Sequence, residues 1–329
     1  MGILVARRLL QSVVVILGVT LISFIALHAG GDPTYLFVSE RATTEEIALV
    51  RQALGFDRPL HVQYLSFVAD LARGDFGTSL SYRQPALDIV LAAFPATIEL
   101  AVFAFAIAIV VAIPLGVVAA LNRGTAVDGS ITMLGLLGQS IPNFWMGIML
   151  ILFFGLNLRW FPISGHVPFL VPLLNGDLAT ALGNLPRTLY FLVMPGVAVA
   201  TYSLARNTRL VRSSMLEVLG QDYVRTARAK GLSEQVVVVH HALRNAWLPV
   251  VTMIGLEFGF LLGGVVVTET VFSYPGIGRL LFNAINQRDI PVVQAGVILL
   301  AGNFILLNTA VDLVYARLDP RVSLTRGRR

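Results

Sequence analysis

Six apolar runs of about bilayer length decide most of what this chain can become. They lie near residues 9–27, 96–120, 131–157, 189–205, 248–268 and 291–314. A helix of about 20 residues crosses a hydrocarbon core, and within that core backbone polar groups must be bonded by the protein itself. The sequence therefore predicts an all-α membrane protein with six transmembrane helices. Composition agrees, because only 13% of residues are charged against about 25% in soluble domains. Pro114, Pro142 and Pro195 interrupt three of the runs and predict kinks.

Arg7 and Arg8 precede the first run. That run exceeds the 7–15 apolar residues of a secretory signal, so an uncleaved span is expected. Residues 30–94 form a polar excursion. Thr43 and Glu46 make a capping box there, and Ile47, Val50 and Leu54 share one face of a helix that Gly55 stops. A second amphipathic helix is expected from Pro59 to near Gly74, interfacial or externally packed. The expected organisation is a first helix over 1–29, an extracytoplasmic segment over 30–94, a five-helix domain over 95–315 and a cytoplasmic tail over 316–329.

Charge sets the orientation. With the N-terminus inside, Arg7, Arg8, Arg123, Arg206, Arg209, Arg212, Arg225, Arg228, Lys230, Arg244, Arg317, Arg321, Arg326, Arg328 and Arg329 are all cytoplasmic. The short outer loops hold only Arg159, Arg187, Arg279 and Arg288. The net charge of +5 thus belongs to a topology signal and does not point to nucleic acid. Cysteine is absent, which excludes disulfides and thiolate metal sites. The only lysine, Lys230, stands in no phosphate-cradling GxxxxGK[ST] loop. His240 and His241 are adjacent, so their side chains diverge by about 100° and make a poor metal clamp. No Ser/His/Asp arrangement is evident, so this chain is not expected to be an enzyme.

One polar island stands out within this apolar background. Residues 221–249 read QDYVRTARAKGLSEQVVVVHHALRNAWLP. Asp222 is positioned to cap a short helix through Lys230, Gly231 to end it in the left-handed region, and Ser233 to cap a second helix running to Pro249. Leu232 then sits at the corner, flanked by basic residues. By itself the stretch is either a docking element for a soluble partner or an ordinary basic loop.

YVRTARAKGL followed by ALRNAWLPVV resembles the coupling loop of ATP-binding-cassette importer permeases of the dipeptide and oligopeptide branch. Arg225-Thr226-Ala227 stands where the wider superfamily has Glu-Ala-Ala. GGDPTY, GDFGTSL, IPNFW at Ile141–Trp145 and FSYPGIGRLLFNAINQRDIPVV resemble further segments of that branch. The resemblance implies the type I importer permease fold, with the coupling loop over 206–247. It implies ATPase contact through Arg225, Thr226, Ala227, Lys230, Gly231, Leu232 and Ser233. It also implies a homologous second permease, two ATPase subunits carrying ATP and Mg, and an extracytoplasmic peptide-binding protein. No cofactor is expected on this chain.

Nickel and glutathione importers are built alike and stay open as alternatives. A channel or secondary transporter would call for repeats or buried charge relays, which are not evident. Asn143, beside Pro142, and Glu257, near the middle of its run, are candidates for the translocation path. Each has a plainer reading: a packing kink for the first, a protonated or partner-bonded side chain for the second. Glu99 and Asp312 lie near span ends, where they are expected to reach the interface or pair with arginine.

Overall fold

The structure is a computed structural model that describes residues 2–29, 33–39, 42–247, 250 and 265–318. Among the described residues it is helical, with no strand beyond one isolated bridge between Thr78 and Pro85. It divides into two compact units: residues 1–94 with 277–309, and residues 95–276 with 310–329.

The first unit starts with α1 (Gly2–Ala29), followed by a 3-10 turn at Pro33–Leu36, α2 (Thr44–Ala53) and α3 (Leu60–Ala72). The capping box at α2 is formed in both directions, Thr43 N–H to Glu46 Oε2 at 2.8 Å and Glu46 N–H to Thr43 Oγ1 at 3.3 Å. α3 lies against α1. The Tyr64 hydroxyl bonds the Leu17 carbonyl at 3.1 Å, and the Phe24 ring meets those of Tyr64 and Phe67. A turn-rich stretch then leads to α4 (Ala86–Leu121), whose start packs Ala86 and Val90 on Ile277, Leu281 and Ala284 of α12 (Ile277–Asn286). Val292 and Ala295 of α13 (Ile290–Leu318) complete that core.

Asp289, fully buried between α12 and α13, holds the loop of the first unit. It accepts the Ser79 hydroxyl at 2.5 Å and the Leu80 and Ser81 amides at 3.2 and 3.1 Å. Asp289→Ala strands these donors, at a cost of about 3 kcal/mol. The expected result is faster tryptic cleavage after the exposed Arg83; an unchanged cleavage rate would show the loop is held otherwise.

The second unit contains the rest of α4, then α5 (Ala126–Ser140), α6 (Asn143–Leu150), α7 (Leu170–Leu174) and α8 (Leu178–Leu219). Pro114 and Pro195 remain inside continuous α4 and α8. Pro142 does not. α5 and the helix over Asn143–Asn157 meet at 103°, a break where a kink was expected. Ile141, pushed by the following proline into extended backbone at φ −82° and ψ 123°, makes the corner. The second arm continues from α6 as a π-helix over Ile151–Asn157.

α4, α8 and Ile290–Ala310 of α13 are each long and apolar enough to span a bilayer, and the bent α5–α6 pair qualifies when taken together. α1 is one helix of 28 residues, while the expected span at 248–268 lies almost wholly outside the described residues. α13 runs to Leu318, past the boundary expected at 315. α8 is the unusual member. Its 42 residues reach roughly 60 Å, about twice a hydrocarbon core, so a large part of it must project beyond the bilayer.

Candidate functional site

The projecting end of α8 carries the polar island. After Gly220 the chain turns into α9 (Asp222–Ala229), crosses a corner, and enters α10 (Glu234–Val236), which passes into a π-helix over Val237–Leu243 and helix again over 244–247. Val224, Ala227 and Val237 are buried together against Val218 and Leu219 of α8. α9 is thus fastened to α8 along one apolar stripe, and its other faces stay exposed.

The corner is a Schellman motif. The Gly231 amide bonds the Arg228 carbonyl at 3.0 Å, and the Leu232 amide reaches back to Ala227 at 3.4 Å. This geometry needs a left-handed residue, and Gly231 has φ +77°. Arg228 closes the corner from outside, with Nε and a terminal nitrogen on the two Glu234 oxygens at 3.1 and 2.6 Å. These bonds raise the Arg228 pKa and lower that of the Glu234 carboxyl.

Two expected caps do not form. Gln221, not Asp222, is the N-cap of α9; Asp222 occupies its first turn, exposed, 3.6 Å from Arg225. Ser233 has N-cap backbone geometry and its carbonyl accepts from Val237 at 3.0 Å, but its side chain makes no cap bond. Backbone geometry alone starts both helices.

Of the seven residues proposed for contact, Arg225, Thr226, Lys230, Gly231, Leu232 and Ser233 are exposed on this one element. Ala227 is not. At 6% exposure it faces α8 and the start of the π-helix at Val237, because the helical spacing that buries Val224 also turns the residue three further on inward. Tyr223, Val236 and Val239 are exposed apolar residues that motif reasoning passed over. The signal was present, since Tyr223, Thr226 and Lys230 share a face by their spacing.

Two arrangements brace this surface. Asp128 in the first turn of α5 receives Arg212 of α8 in a forked pair, Nε at 2.6 Å and a terminal nitrogen at 2.7 Å, plus the Gly124 amide at 3.0 Å. Further along α8, Val211 and Met215 pack with Ala120 of α4 and with Val238, Ala242 and Ala246. The site is therefore carried on a rigid body.

Asn143 is half-buried at the start of α6, on a different element from this surface; Glu257 and Asp312 lie outside the described side chains. Glu99 is buried, and among the described residues no arginine bonds it. It bonds His166 Nε2 at 2.7 Å and accepts the Phe169 and Leu170 amides at 2.9 and 2.5 Å. A second buried carboxylate, Glu269, accepts the Thr97 hydroxyl at 2.7 Å.

Residues 112–324 match the family described as "Binding-protein-dependent transport system inner membrane component", and residues 1–101 match "Binding-prot-dependent transport system membrane comp, N-term". The chain is 42% identical over 331 residues to the dipeptide transport system permease protein DppB of Escherichia coli strain K12, covering 97% of this chain and 98% of the relative. It is 42% identical over 328 residues to a di/tripeptide transport system permease of Pseudomonas aeruginosa strain UCBPP-PA14, covering 97% and 98%. The corresponding dipeptide permease of Alkalihalophilus pseudofirmus is 40% identical over 328 residues, with 96% and 98% covered.

Proposed function

Because this chain belongs to the family of binding-protein-dependent transport system inner membrane components, we propose that it is the permease subunit of an ATP-driven dipeptide or oligopeptide importer. It has the type I importer permease fold and is a multi-pass protein of the bacterial inner membrane. The observation that carries the finer reading is the exposed Schellman corner at Gly231-Leu232, borne on a helix too long for the bilayer. Near full-length likeness to permeases named for dipeptide transport supports the substrate class.

On this reading the chain forms half of a translocation pathway with a homologous second permease. Two ATPase subunits holding ATP and Mg dock on α9 and α10, and a peptide-binding protein delivers cargo from outside. The role of this chain is mechanical. Rigid coupling between α9 and α8 lets displacement of the corner move a spanning helix as one body, so that ATPase closure becomes alternating access.

Reconstitution with these partners tests the reading. Labelled dipeptide should enter vesicles only with ATP and the binding protein, and the chain alone should hydrolyse no ATP. Absent peptide uptake, or turnover by the isolated chain through repeated purification, would overturn it. Orientation is tested separately, since the chain lacks cysteine. A single cysteine at Glu45 or Asn175 should react with an impermeant reagent from outside, and one at Ser233 should not. Outside labelling of Ser233 reverses the assignment of both termini to the cytoplasm.

A further inference from the structure

A cavity of about 490 Å³ lies within the first unit, bounded by α1, α2, α3 and the first turn of α13. Transport by alternating access does not require it. Four of its fourteen lining residues are aromatic, Phe24, Phe37, Phe56 and Phe67, beside the apolar Leu54, Ile290 and Pro291. Arg58 lies along the lining, exposed, with no ion pair or side-chain hydrogen bond among the described residues. Gln294 also lines it. That side chain is 7% exposed, yet its Nε2 has no hydrogen-bond partner among the described residues.

The cavity is built and held. Gln63 donates to the Phe56 and Arg58 carbonyls at 3.2 and 2.7 Å, and its Oε1 meets His28 Nε2 of α1 at 3.0 Å. The segment presenting Arg58 is thereby fixed to both α1 and α3. Asp70 lies on the same lining, but its carboxylate already carries Arg73 at 3.3 Å. Arg58 is the basic side chain of the lining, and its guanidinium is the group there that can take an anion.

We propose that this cavity binds an apolar carboxylate. The aromatic and apolar side chains take a hydrophobic group, Arg58 takes the carboxylate, and the buried Gln294 amide offers a donor to a neighbouring acceptor. The volume falls within the range of about 300–1,000 Å³ usual for small-ligand sites, and a guanidinium fork matches a carboxylate's two oxygens. Two sources share this chemistry: the C-terminal residue of a short apolar peptide, and a free fatty acid. The first rests on the proposed function; the second does not.

The test uses the assembled transporter in lipid nanodiscs, without binding protein or ATP. Three probes are titrated: the dipeptide Ala-Phe, its C-terminal amide, and decanoate. Photoreactive versions of each map the contact by mass spectrometry. A carboxylate probe should cross-link to α3 or to the 55–58 segment, bind roughly tenfold more tightly than the amide, and lose about the same factor in Arg58→Gln. Because Arg58 is exposed, that variant should assemble normally. Ser66→Trp, which fills the cavity, should abolish the cross-link. Capture of Ala-Phe alone assigns the peptide source, and of decanoate alone the lipid source. Equal binding of acid and amide, no effect of Arg58→Gln, or no labelling of the cavity by any probe overturns the proposal. Peptide uptake by the same preparation reports separately on the transport reading.

Discussion

Replacing Leu232 with aspartate should abolish ATP-driven uptake while leaving the chain inserted and folded. The side chain is 40% exposed at the tip of the corner, so little of its present packing is lost. Burying the exposed part in a partner's groove would contribute roughly 1 kcal/mol, and a carboxylate placed there adds a larger desolvation cost. Docking should fail, and uptake with it, while the binding protein still captures peptide. Gly231→Val reaches the same end by another route. No atom lies within 4 Å of the position a Cβ would take, so the penalty is conformational, roughly 1–2 kcal/mol for a side chain at φ +77°. Ala227→Asp differs from both. It places a charge in the seam beneath α9 and should damage the helix itself, read as a lower yield of folded chain. Uptake and co-purification with the ATPase, measured side by side, separate the three. Wild-type uptake by Leu232→Asp would mean that the corner is only a basic tether.

Much of this surface was legible because its determinants are local. A glycine after a basic helix, a leucine at the turn and a proline past the second helix are signals read within a few residues. Helix existence was legible for the same reason, since apolar length alone sets it. What escaped was decided by distant partners. Asp128 and Arg212 are 84 residues apart, and neither neighbourhood hints at the other. Ala227 matched a motif position, yet the side it faces depends on Val237, ten residues on. The break at Ile141-Pro142 was visible as a proline but not as 103°, because Pro114 and Pro195 in similar runs leave their helices continuous. The difference lies in Ile141, which is extended here, whereas α4 and α8 continue through their prolines. The cavity beside Arg58 combines α1, α2, α3 and α13, and no single stretch encodes it.

Glu99→Ala should destabilise the second unit strongly. Its side chain, 5% exposed, is an acceptor for three donors that have no other described partner: the His166 ring nitrogen Nε2 and the Phe169 and Leu170 amides. The two amides are the leading N–H groups of α7, which its helix cannot satisfy. Removing the carboxylate therefore strands one ring nitrogen and two backbone donors in a poorly hydrated place, each stranded group costing about 1–3 kcal/mol, so at least roughly 3 kcal/mol in sum. Glu99→Gln retains an acceptor oxygen for the α7 amides and should lose less than half as much. The structural consequence is specific, because the stretch just before α7 is also tied to α8 through the Asn184 amide on the Pro168 carbonyl and the Thr188 hydroxyl on the Val167 carbonyl. The start of α7 at Phe169 and Leu170 should open toward solvent while those anchors hold Val167 and Pro168 on α8. Hydrogen exchange at Phe169 and Leu170 should accelerate strongly in Glu99→Ala and slightly in Glu99→Gln, with Thr188 and its neighbours on α8 unchanged. Equal acceleration in both variants would assign the effect to lost charge instead of a lost acceptor, and no acceleration in either would show that α7 is held by α8 alone.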